Sequence, residues 1–334
     1  MKSSAYAKRY RQLRLRIDRY LTSMMKSRPR GGAKDLWDAG EYVIETGGKR
    51  VRSTLVLLSC EAVGGRVADA IHAGAAAELM HNFTLVHDDI MDEAPSRRGR
   101  PSVHARWDLN NALLVGDVLL GLAYRSLLKT RTNRIQRITD LFTTALLEVC
   151  EGQALDVEFE HRDDVNLHDY IGMIGKKTGG LISMSTELGA LIGSGTTRQV
   201  NALRAFGRHL GMAFQIQDDL LDVVAEEKKL GKAIGGDIVV GKKTFLLLTA
   251  LERASGKDRA ILKAIMKRRA PADARRHIVD TVTAIYRRYG VIEESVHHIQ
   301  RSTDNATAAL EELPENGATA MLRWFSELLV KRVS

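Results

Sequence analysis

Apolar residues recur at intervals of three and four along almost the whole chain, with polar and charged residues between them. This period places the apolar side chains on one face of an α-helix and predicts helices nearly throughout. The segment from Ala94 to Ser102, with two prolines and a glycine, is the clearest interruption in the first half. The predicted helices cover about Tyr6–Met25, Leu36–Glu45, Ser53–Ala62, Ala68–Asp92, Asn111–Thr130, Arg134–Glu160, Leu167–Leu191, Arg198–Val224, Lys243–Ala254, Arg259–Lys267, Ala274–Arg288 and Ala318–Lys331.

Proline usage and composition support the helical prediction. No proline lies between Pro101 and Pro271, and proline breaks helix interiors. Aromatic residues make up only 5% of the chain and β-branched runs are scarce, which argues against a fold dominated by β-sheet. With 44% hydrophobic residues, the 334-residue chain can bury a large core. No repeat or low-complexity linker divides it, so we expect a single all-α domain.

The net charge of +9 lies entirely at the N-terminus. Residues 1–30 contain ten basic residues and one acid, whereas the remaining 304 residues contain 40 of each. We interpret residues 1–30 as a basic helix and loop packed on a neutral domain at 31–334, rather than as a nucleic-acid-binding arm. The first residues lack the apolar stretch of a secretory signal, and no uncharged apolar run reaches the roughly 18 residues of a membrane span. We therefore expect a cytoplasmic protein with no transmembrane segment and no nucleic-acid partner.

The chain has two cysteines, Cys60 and Cys150, which are too few for a disulfide framework. Both stand in apolar helical stretches, so we expect both thiols to be buried. This cysteine usage is typical of proteins from a reducing compartment.

Two aspartate motifs concentrate the chemistry that the sequence suggests. The sequence DDIMD, residues 88–92, ends one predicted helix, and DDLLD, residues 218–222, repeats the spacing on a later helix. Carboxylates four residues apart share a helix face and repel each other, so each motif needs a compensating cation. Hard oxygen ligands favour Mg²⁺, which completes its shell with water and substrate phosphates. Two such helices facing each other across a bundle would form a multi-metal site.

Basic clusters accompany both motifs. They are GGKRVR at residues 47–52, RRGR at 97–100, KKT at 176–178, and Lys232 and Lys242 on either side of GGD at 235–237. The first cluster is not a P-loop, because the pattern GxxxxGK[ST] is absent. Cations beside carboxylate motifs describe a site for highly phosphorylated ligands that Mg²⁺ bridges.

From about Lys34 onward, these motifs and their order resemble the trans-isoprenyl diphosphate synthases of the polyprenyl synthetase family. The resemblance is carried by GGKRVR, HNFTLVHDDIMDEAPSRRGRPSVH, GDVLL, EGQALD, KKTGGL, FQIQDDLLDV and GKAIGGDIVVGKKT. It implies a helical bundle around a central active-site cavity, of the isoprenoid synthase type, and a homodimer. It also implies a head-to-tail condensation. An allylic diphosphate ionises, the double bond of isopentenyl diphosphate attacks the allylic cation, and loss of a proton restores an alkene.

The same resemblance implies roles for individual residues. About three Mg²⁺ ions would be held by Asp88, Asp89, Asp92, Asp218, Asp219 and Asp222. Isopentenyl diphosphate would be bound by Lys49, Arg52, His81 and Arg98. The allylic substrate (dimethylallyl, geranyl or farnesyl diphosphate) would be bound by Arg97, Lys177, Lys232 and Lys242, with Thr178 and Gln215 beside the developing cation. The catalytic set in this interpretation is Asp88, Asp92, Asp218, Lys177, Thr178, Gln215, Lys232 and Lys242.

Product length in the family depends on the bulk of the helix before the first aspartate motif. Phe83 lies five residues before Asp88, about 7.5 Å along the helix axis, and the next residue, Thr84, is small. One aromatic residue with no insertion in DDIMD resembles geranylgeranyl diphosphate synthases of the archaeal type, so we expect a C20 product. A farnesyl (C15) or longer-chain polyprenyl diphosphate is the alternative.

Three other classes of protein match part of these features. A class I terpene cyclase shares one DDxxD motif but does not need GGKRVR. An HD-type metal phosphohydrolase would use His87 and Asp88, but it leaves the second aspartate motif unexplained. A non-catalytic subunit of a heteromeric prenyltransferase tends to lose carboxylates that are intact in this chain.

Overall fold

The computed structural model describes residues 2–29, 31–224, 235–267 and 275–330, and these residues are almost entirely helical. The all-α prediction is therefore confirmed. Strands in the described part of the chain are limited to one short antiparallel hairpin, in which β1 (Ser96–Arg97) pairs with β2 (Arg100–Pro101). No helix among these residues is long and apolar enough to cross a lipid bilayer.

The helices are numbered in chain order. They are α1 (Lys2–Lys26), α2 (Lys34–Glu45), α3 (Val51–Ala62), α4 (Val67–Met91), α5 (Val103–Arg106), α6 (Leu109–Leu127), α7 (Ile135–His161), α8 (Leu167–Ile174), α9 (Gly180–Ile192), α10 (Thr197–Val224), α11 (Gly236–Val240), α12 (Phe245–Arg253), α13 (Gly256–Lys267), α14 (Arg275–Arg288), α15 (Val291–Ala309) and α16 (Gly317–Val330). A π-helical segment, Gly175–Gly179, stands between α8 and α9, and a 3₁₀ turn, Leu310–Glu312, follows α15.

Contacts within the chain divide it into two compact units, which we describe separately. The first unit comprises Met1–Leu146, Leu181–Gly207 and Ala309–Phe325, and the second comprises Leu147–Gly180, Arg208–Ala308 and Ser326–Ser334. The domain boundary expected near residue 31 stays a prediction.

Helix α4 is the main packing element of the first unit, since it lies against α3 and α6. Its buried face contains a run of small residues, Ala73–Ala77, which lets neighbouring helices approach closely. At Gly116 of α6 a Cβ atom would lie only 2.1 Å from His87 Nε2 of α4. This close approach holds the C-terminal end of α4, where the first aspartate motif stands.

Helix α1 is amphipathic, as the sequence predicted. Leu13, Ile17 and Leu21, spaced by four residues, are completely buried, and α1 packs on α2, α3 and α4. Basic residues such as Arg11 and Arg19 are exposed on its other side. Burial of the apolar stripe therefore accounts for the packing of this basic helix.

The second unit has its own apolar core, to which α12 and α14 contribute Phe245, Leu246 and Tyr286. Helix α15 is absent from the predicted helices, and leaving residues 291–309 unassigned was wrong. Its buried positions include Ser295 and Thr303 as well as apolar residues. Because polar side chains interrupt the buried stripe, the apolar period of α15 is too weak to identify a helix.

Candidate active site

The first aspartate motif lies at the C-terminal end of α4, in the first unit. Asp88 and Asp89 are in the last turn, and Asp92 is the residue that ends the helix. The C-terminal end of a helix carries partial negative charge, so three carboxylates there are electrostatically unfavourable without a cation. Helix α4 has no basic residue in its last turn that could offset them.

The three carboxylates of this motif differ in exposure. Asp88 is half-buried and Asp92 is exposed, whereas Asp89 is buried and its Oδ1 accepts a hydrogen bond from Arg97 Nε at 2.7 Å. Burial raises the pKa of Asp89, although the Arg97 guanidinium opposes the rise. Asp88 and Asp92 are thus the accessible carboxylates, while Asp89 is used to position Arg97.

The RRGR cluster forms the hairpin of β1 and β2. Arg98 and Gly99 are its two turn residues, and both have positive φ angles, of 54° and 73°. Two-residue turns with positive φ at both positions suit the twist of a hairpin. The turn brings Arg98 to the GGKRVR segment, where its Nη1 donates a hydrogen bond to the carbonyl of Gly47.

The GGKRVR segment separates neighbouring basic residues into different environments. Arg50 has a left-handed backbone conformation, with φ 50° and ψ 41°, immediately before α3 begins. Its side chain is buried and pairs with Glu78 at 3.2 Å and with Asp18 at 2.8 Å. Lys49 is exposed, and Arg52 stands in the first turn of α3. The structure therefore gives Arg50 a packing role, which the sequence pattern did not distinguish from that of its neighbours.

Arg52 and Arg98 bring two positive charges close to His81 in the first unit. Burial lowers the pKa of Arg52 to about 10, and the charge of Arg98 lowers it as well, although Glu78 opposes both. Burial, followed by the charges of Arg52 and Arg98, holds the pKa of His81 well below its ordinary value. Arg52 Nε and His81 Nδ1 are both buried without a hydrogen-bond partner. Such a cluster is suited to an anion that would satisfy these groups.

Phe83 and Thr84 are both buried on α4, one to two turns before the aspartate motif. The Phe83 ring packs edge-on against the His87 ring, with 4.7 Å between the ring centroids. His87 Nε2 lies 3.2 Å from the carbonyl oxygen of Leu113 on α6. His87 is therefore engaged between two helices, which does not favour the HD-hydrolase interpretation.

The second aspartate motif lies near the end of α10, in the second unit. Asp218 is exposed, whereas Asp219 is buried. Asp219 accepts hydrogen bonds from the Tyr170 hydroxyl, from Gln215 Nε2 at 3.0 Å and from the backbone N–H of Phe245 at 3.3 Å. Burial and the charge of Asp237 raise the pKa of Asp219 to about 7, although the hydrogen bonds from Tyr170 and Gln215 oppose the rise. Asp219 corresponds to Asp89 in the first motif, because both middle carboxylates are held inside the protein.

Asp222 links the second motif to the segment that follows it. Its Oδ2 accepts a hydrogen bond from the backbone N–H of Asp237 at 2.9 Å, and its carbonyl accepts one from Gly235 at 2.7 Å. Lys242 follows α11 and donates its backbone N–H to the Asp237 carbonyl at 2.9 Å. Lys232 lies outside the described residues, so its predicted role stays a prediction.

The KKT cluster lies on the π-helical segment. Lys177 Nζ pairs with Asp156 at 2.6 Å, and the Thr178 hydroxyl donates to Gln215 Oε1 at 2.8 Å. Although burial alone would raise it, Lys242 and Lys177 together lower the pKa of Asp156. In this unit Lys177, Thr178, Gln215 and Lys242 therefore belong to one connected group, and their common role in binding substrate stays a prediction.

Glycines allow the π-helical segment to pack tightly. A Cβ at Gly152 of α7 would lie 2.4 Å from the backbone nitrogen of Lys177, and one at Gly211 of α10 would lie 2.7 Å from Gly179 Cα. π-helical turns are frequent at functional sites, because the extra residue redirects side chains. The sequence predicted one continuous helix over Leu167–Leu191, and this was wrong in detail, because hydrogen-bond register is not visible in apolar spacing.

Several residues of these groups were missed as site residues. Asp156 belongs to the motif EGQALD and Asp237 to GGD. Because both carboxylates accompany basic clusters, the sequence could have identified them as site residues. Tyr170, which binds Asp219, had no such signal, since a tyrosine on an apolar helix resembles ordinary core packing.

The donor set fits Mg²⁺ that arrives with a phosphorylated substrate. Within the described ranges, no group of three or more His, Cys, Asp or Glu side chains converges closely enough to enclose a metal ion. Mg²⁺ does not require such an enclosure, because it is commonly bound by one or two carboxylates, waters and substrate phosphates. The accessible carboxylates of Asp88, Asp92 and Asp218 are donors of this kind.

Comparisons with known proteins agree with this chemistry. A family model described as polyprenyl synthetase matches residues 33–282. A short chain isoprenyl diphosphate synthase of Methanothermobacter thermautotrophicus is 40% identical over 299 residues, which cover 88% of this chain and 89% of that protein. A geranylgeranyl diphosphate synthase of Sulfolobus acidocaldarius is 40% identical over 250 residues, which cover 73% of this chain and 76% of that protein.

A solved structure shows the same fold. The crystal structure of geranylgeranyl pyrophosphate synthetase from Pyrococcus horikoshii superposes with a TM-score of 0.93 at 36% identity, covering 99% of this chain and 100% of that one. Members of the matched family are prenyltransferases that use isopentenyl and allylic diphosphates, generally with Mg²⁺. On its fold, its motifs and these similarities, the chain belongs to the polyprenyl synthetase family of prenyltransferases.

Proposed function

We propose that this prenyltransferase condenses isopentenyl diphosphate with an allylic diphosphate, head to tail, and that its main product is geranylgeranyl diphosphate (C20). The observation that carries this proposal is the cluster of two arginines, Arg52 and Arg98, with His81. It contains buried donors without partners on the same helical unit as accessible carboxylates. A diphosphate would neutralise the cluster and satisfy Arg52 Nε and His81 Nδ1.

Isopentenyl diphosphate is the ligand proposed for this cluster, together with Lys49. At neutral pH Arg52 remains charged, because its pKa of about 10 is well above 7. His81 is neutral there, because its pKa is held well below its ordinary value, and it offers one ring N–H. The cluster would therefore bind the diphosphate through arginine charge and neutral donors together.

The allylic diphosphate is the ligand proposed for Arg97, Lys177, Lys242 and Lys232. Lys177 is already held by Asp156, so the side chain is oriented before substrate binds. Thr178 donates to Gln215 Oε1, and we propose that the oxygen atoms of this pair stabilise the developing allylic cation. No side-chain base is needed, because the released diphosphate can accept the proton.

About three Mg²⁺ ions are proposed as the cofactor, bound by the aspartates of the two motifs. When bound, Mg²⁺ supplies positive charge to the departing diphosphate. Asp88, Asp92 and Asp218 are the accessible ligands, whereas Asp89 and Asp219 are proposed to act mainly through Arg97 and Gln215, which they hold. Asp222 would act with Asp218 on the same helix.

Phe83 is proposed to limit the product to C20, with Thr84 beside it leaving space. The Phe83 ring packs against His87, and His87 contacts α6. This contact fixes the position of the Phe83 ring. Relatives named geranylgeranyl diphosphate synthases support C20. A farnesyl or longer polyprenyl diphosphate is the alternative product. A class I terpene cyclase and a non-catalytic subunit are less well supported, because GGKRVR and both aspartate motifs are intact.

A homodimer and a cytoplasmic location belong to the same proposal. Helix α6 exposes three leucines near its N-terminal end, Leu109, Leu113 and Leu114. Leucines clustered on the surface favour burial against a partner. We propose that a second copy of this chain covers them. The cytoplasmic location is proposed from the family resemblance and the sparse cysteine content.

The proposed function is tested by incubating the protein with Mg²⁺, labelled isopentenyl diphosphate and each allylic primer, followed by separation of products by chain length. We expect condensation, loss of turnover when the metal is chelated, and a fall of at least a hundredfold in Asp88→Ala. Asp69→Ala is the matched control, because it removes a carboxylate from the first turn of the same helix. Absence of product with every primer would refute the function, and full activity of Asp88→Ala would refute the metal role.

A further inference from the structure

Tyr42, on α2, contacts the hairpin that carries Arg98. Its hydroxyl donates a hydrogen bond of 2.8 Å to the carbonyl of Pro101, in β2. The guanidinium of Arg100 lies 4.8 Å from the centroid of the Tyr42 ring, and that of Arg106 lies 4.4 Å from it. The buried ring of Tyr42 also packs edge-on against Trp107 at 5.3 Å. Tyr42 therefore connects this hairpin to α2.

The segment that follows the C-terminal end of α2 receives Arg98 itself. The helix ends at Glu45, and the N–H of Gly47 bonds to the carbonyl of Ile44, so Gly47 continues directly from the last turn. The Gly47 carbonyl accepts a hydrogen bond from Arg98 Nη1. A Cβ on Gly48, whose φ is 150°, would lie 2.9 Å from the same nitrogen. Arg98 thus rests on a surface that only a glycine provides.

Both attachments lie at the C-terminal end of α2, and this fixes the position of Arg98. Tyr42 is in the last turn of α2, and Gly47 follows just after the helix ends at Glu45. A shift of the hairpin would break the bond from Tyr42 and the bond to Gly47 together. Because guanidinium has five N–H donors, Arg98 keeps donors for a ligand while Nη1 is held.

We propose that Tyr42 is a positioning residue for isopentenyl diphosphate, which acts by holding the hairpin so that Arg98 faces the diphosphate. This inference rests on the proposed binding of that substrate by Arg98. It assigns to Tyr42 a role in the affinity for isopentenyl diphosphate and none in the chemical step. Arg97, proposed for the allylic substrate, stands on the same hairpin but is held separately by Asp89 of α4 at 2.7 Å, so the affinity for the allylic substrate should change less.

The test is steady-state kinetics of Tyr42→Phe, which removes only the hydroxyl donor. We expect the KM for isopentenyl diphosphate to rise about threefold to tenfold, the effect of one lost hydrogen bond. The kcat and the KM for the allylic substrate should stay within about twofold, since uniform binding is lost and transition-state stabilisation is not. Tyr124→Phe is the control, because it removes a 2.9 Å hydroxyl bond to Thr143 away from the hairpin.

A double-mutant cycle separates positioning from general destabilisation. If Tyr42 acts through Arg98, Tyr42→Phe should have no further effect on this KM in an Arg98→Ala background. Gly48→Ala should also raise the KM, because its methyl group displaces Arg98. Gly64→Ala is its control, because Gly64 has a positive φ of 95° with nothing within 4 Å of the added Cβ.

Three outcomes would overturn the inference. They are an unchanged KM in Tyr42→Phe while Arg98→Ala raises it, equal effects on both substrates, or additive effects in the double mutant. An unchanged KM in Arg98→Ala would instead refute the binding role of Arg98, and wild-type protein that forms no product would refute the proposed function as a whole. The measurements therefore distinguish failure of the positioning role from failure of the function.

Discussion

The buried ion pair of Arg50 and Glu78 gives the most quantitative prediction about stability. Their side chains are 2% and 3% exposed, and Arg50 Nη1 lies 3.2 Å from Glu78 Oε1. Although burial lowers the pKa of Arg50, Glu78 and Asp18 raise it above its ordinary value, so the guanidinium is charged at any working pH. Glu78→Gln would leave this buried charge with one carboxylate partner fewer, while keeping the shape of the side chain.

The expected loss follows from what remains around Arg50. Removing one partner of a buried pair costs about 3–5 kcal/mol. Arg50 would retain Asp18 at 2.8 Å and the Ile44 carbonyl at 2.9 Å, so we expect the lower end, about 3 kcal/mol. With an unfolding entropy of about 2.1 cal/mol/K per residue, a chain of this length has about 0.7 kcal/mol/K. The Tm of Glu78→Gln should therefore fall by about 4 °C.

Differential scanning calorimetry of the whole protein is the appropriate assay. The control is Asp69→Asn, on the same helix as Glu78, which breaks a 2.7 Å ion pair with Arg66, a residue that is 81% exposed. Exposed pairs contribute below about 1 kcal/mol, so this change should shift the Tm by about 1 °C or less. Equal Tm values for the two variants would refute the argument that burial decides the contribution of Arg50 and Glu78.

Three further predictions follow from individual side chains. Phe83→Ala should lengthen the product beyond C20 on reversed-phase chromatography, because it removes the ring that we propose closes the chain path, and an unchanged length would contradict that role. At pH 8 a maleimide should label Cys150 and not Cys60. Burial raises the pKa of the Cys60 thiol to about 12, so its reactive thiolate forms only near that pH. Cys150→Ser should therefore abolish labelling. Leu113→Glu should shift the protein towards monomer in light scattering, whereas Leu15→Glu, at a similarly exposed leucine on α1, should not; an unchanged mass for both would contradict the proposed α6 interface.

The cysteines show where local sequence context is insufficient. Both stand in apolar stretches of predicted helix, yet Cys60 is buried and Cys150 is exposed, so the expectation for Cys150 was wrong. Position 150 lies on the outward side of α7, and an exposed leucine, Leu147, stands nearby on the same helix. Apolar residues on such a face do not indicate the core when the surface itself is partly apolar.

The sequence by itself determined the elements with strong local signals. The three-and-four spacing located α1–α4 within a few residues, because the period of an amphipathic helix is visible in its own sequence. The repeated DDxxD spacing identified carboxylates that share a helix face, and the basic clusters around it indicated a phosphorylated ligand. These inferences depend on residues a few positions apart, which is the range over which sequence and geometry are directly related.

Only the tertiary structure decided which of several similar residues is buried and which stays accessible to a ligand. Lys49, Arg50 and Arg52 look alike in GGKRVR, but a left-handed backbone at Arg50 directs it to Glu78, 28 residues away. Tyr42 is tied to the hairpin by a hydrogen bond to the carbonyl of Pro101, 59 residues away. Burial and hydrogen bonding depend on partners that are distant in sequence. The residues next to a given position therefore do not indicate which partners it has.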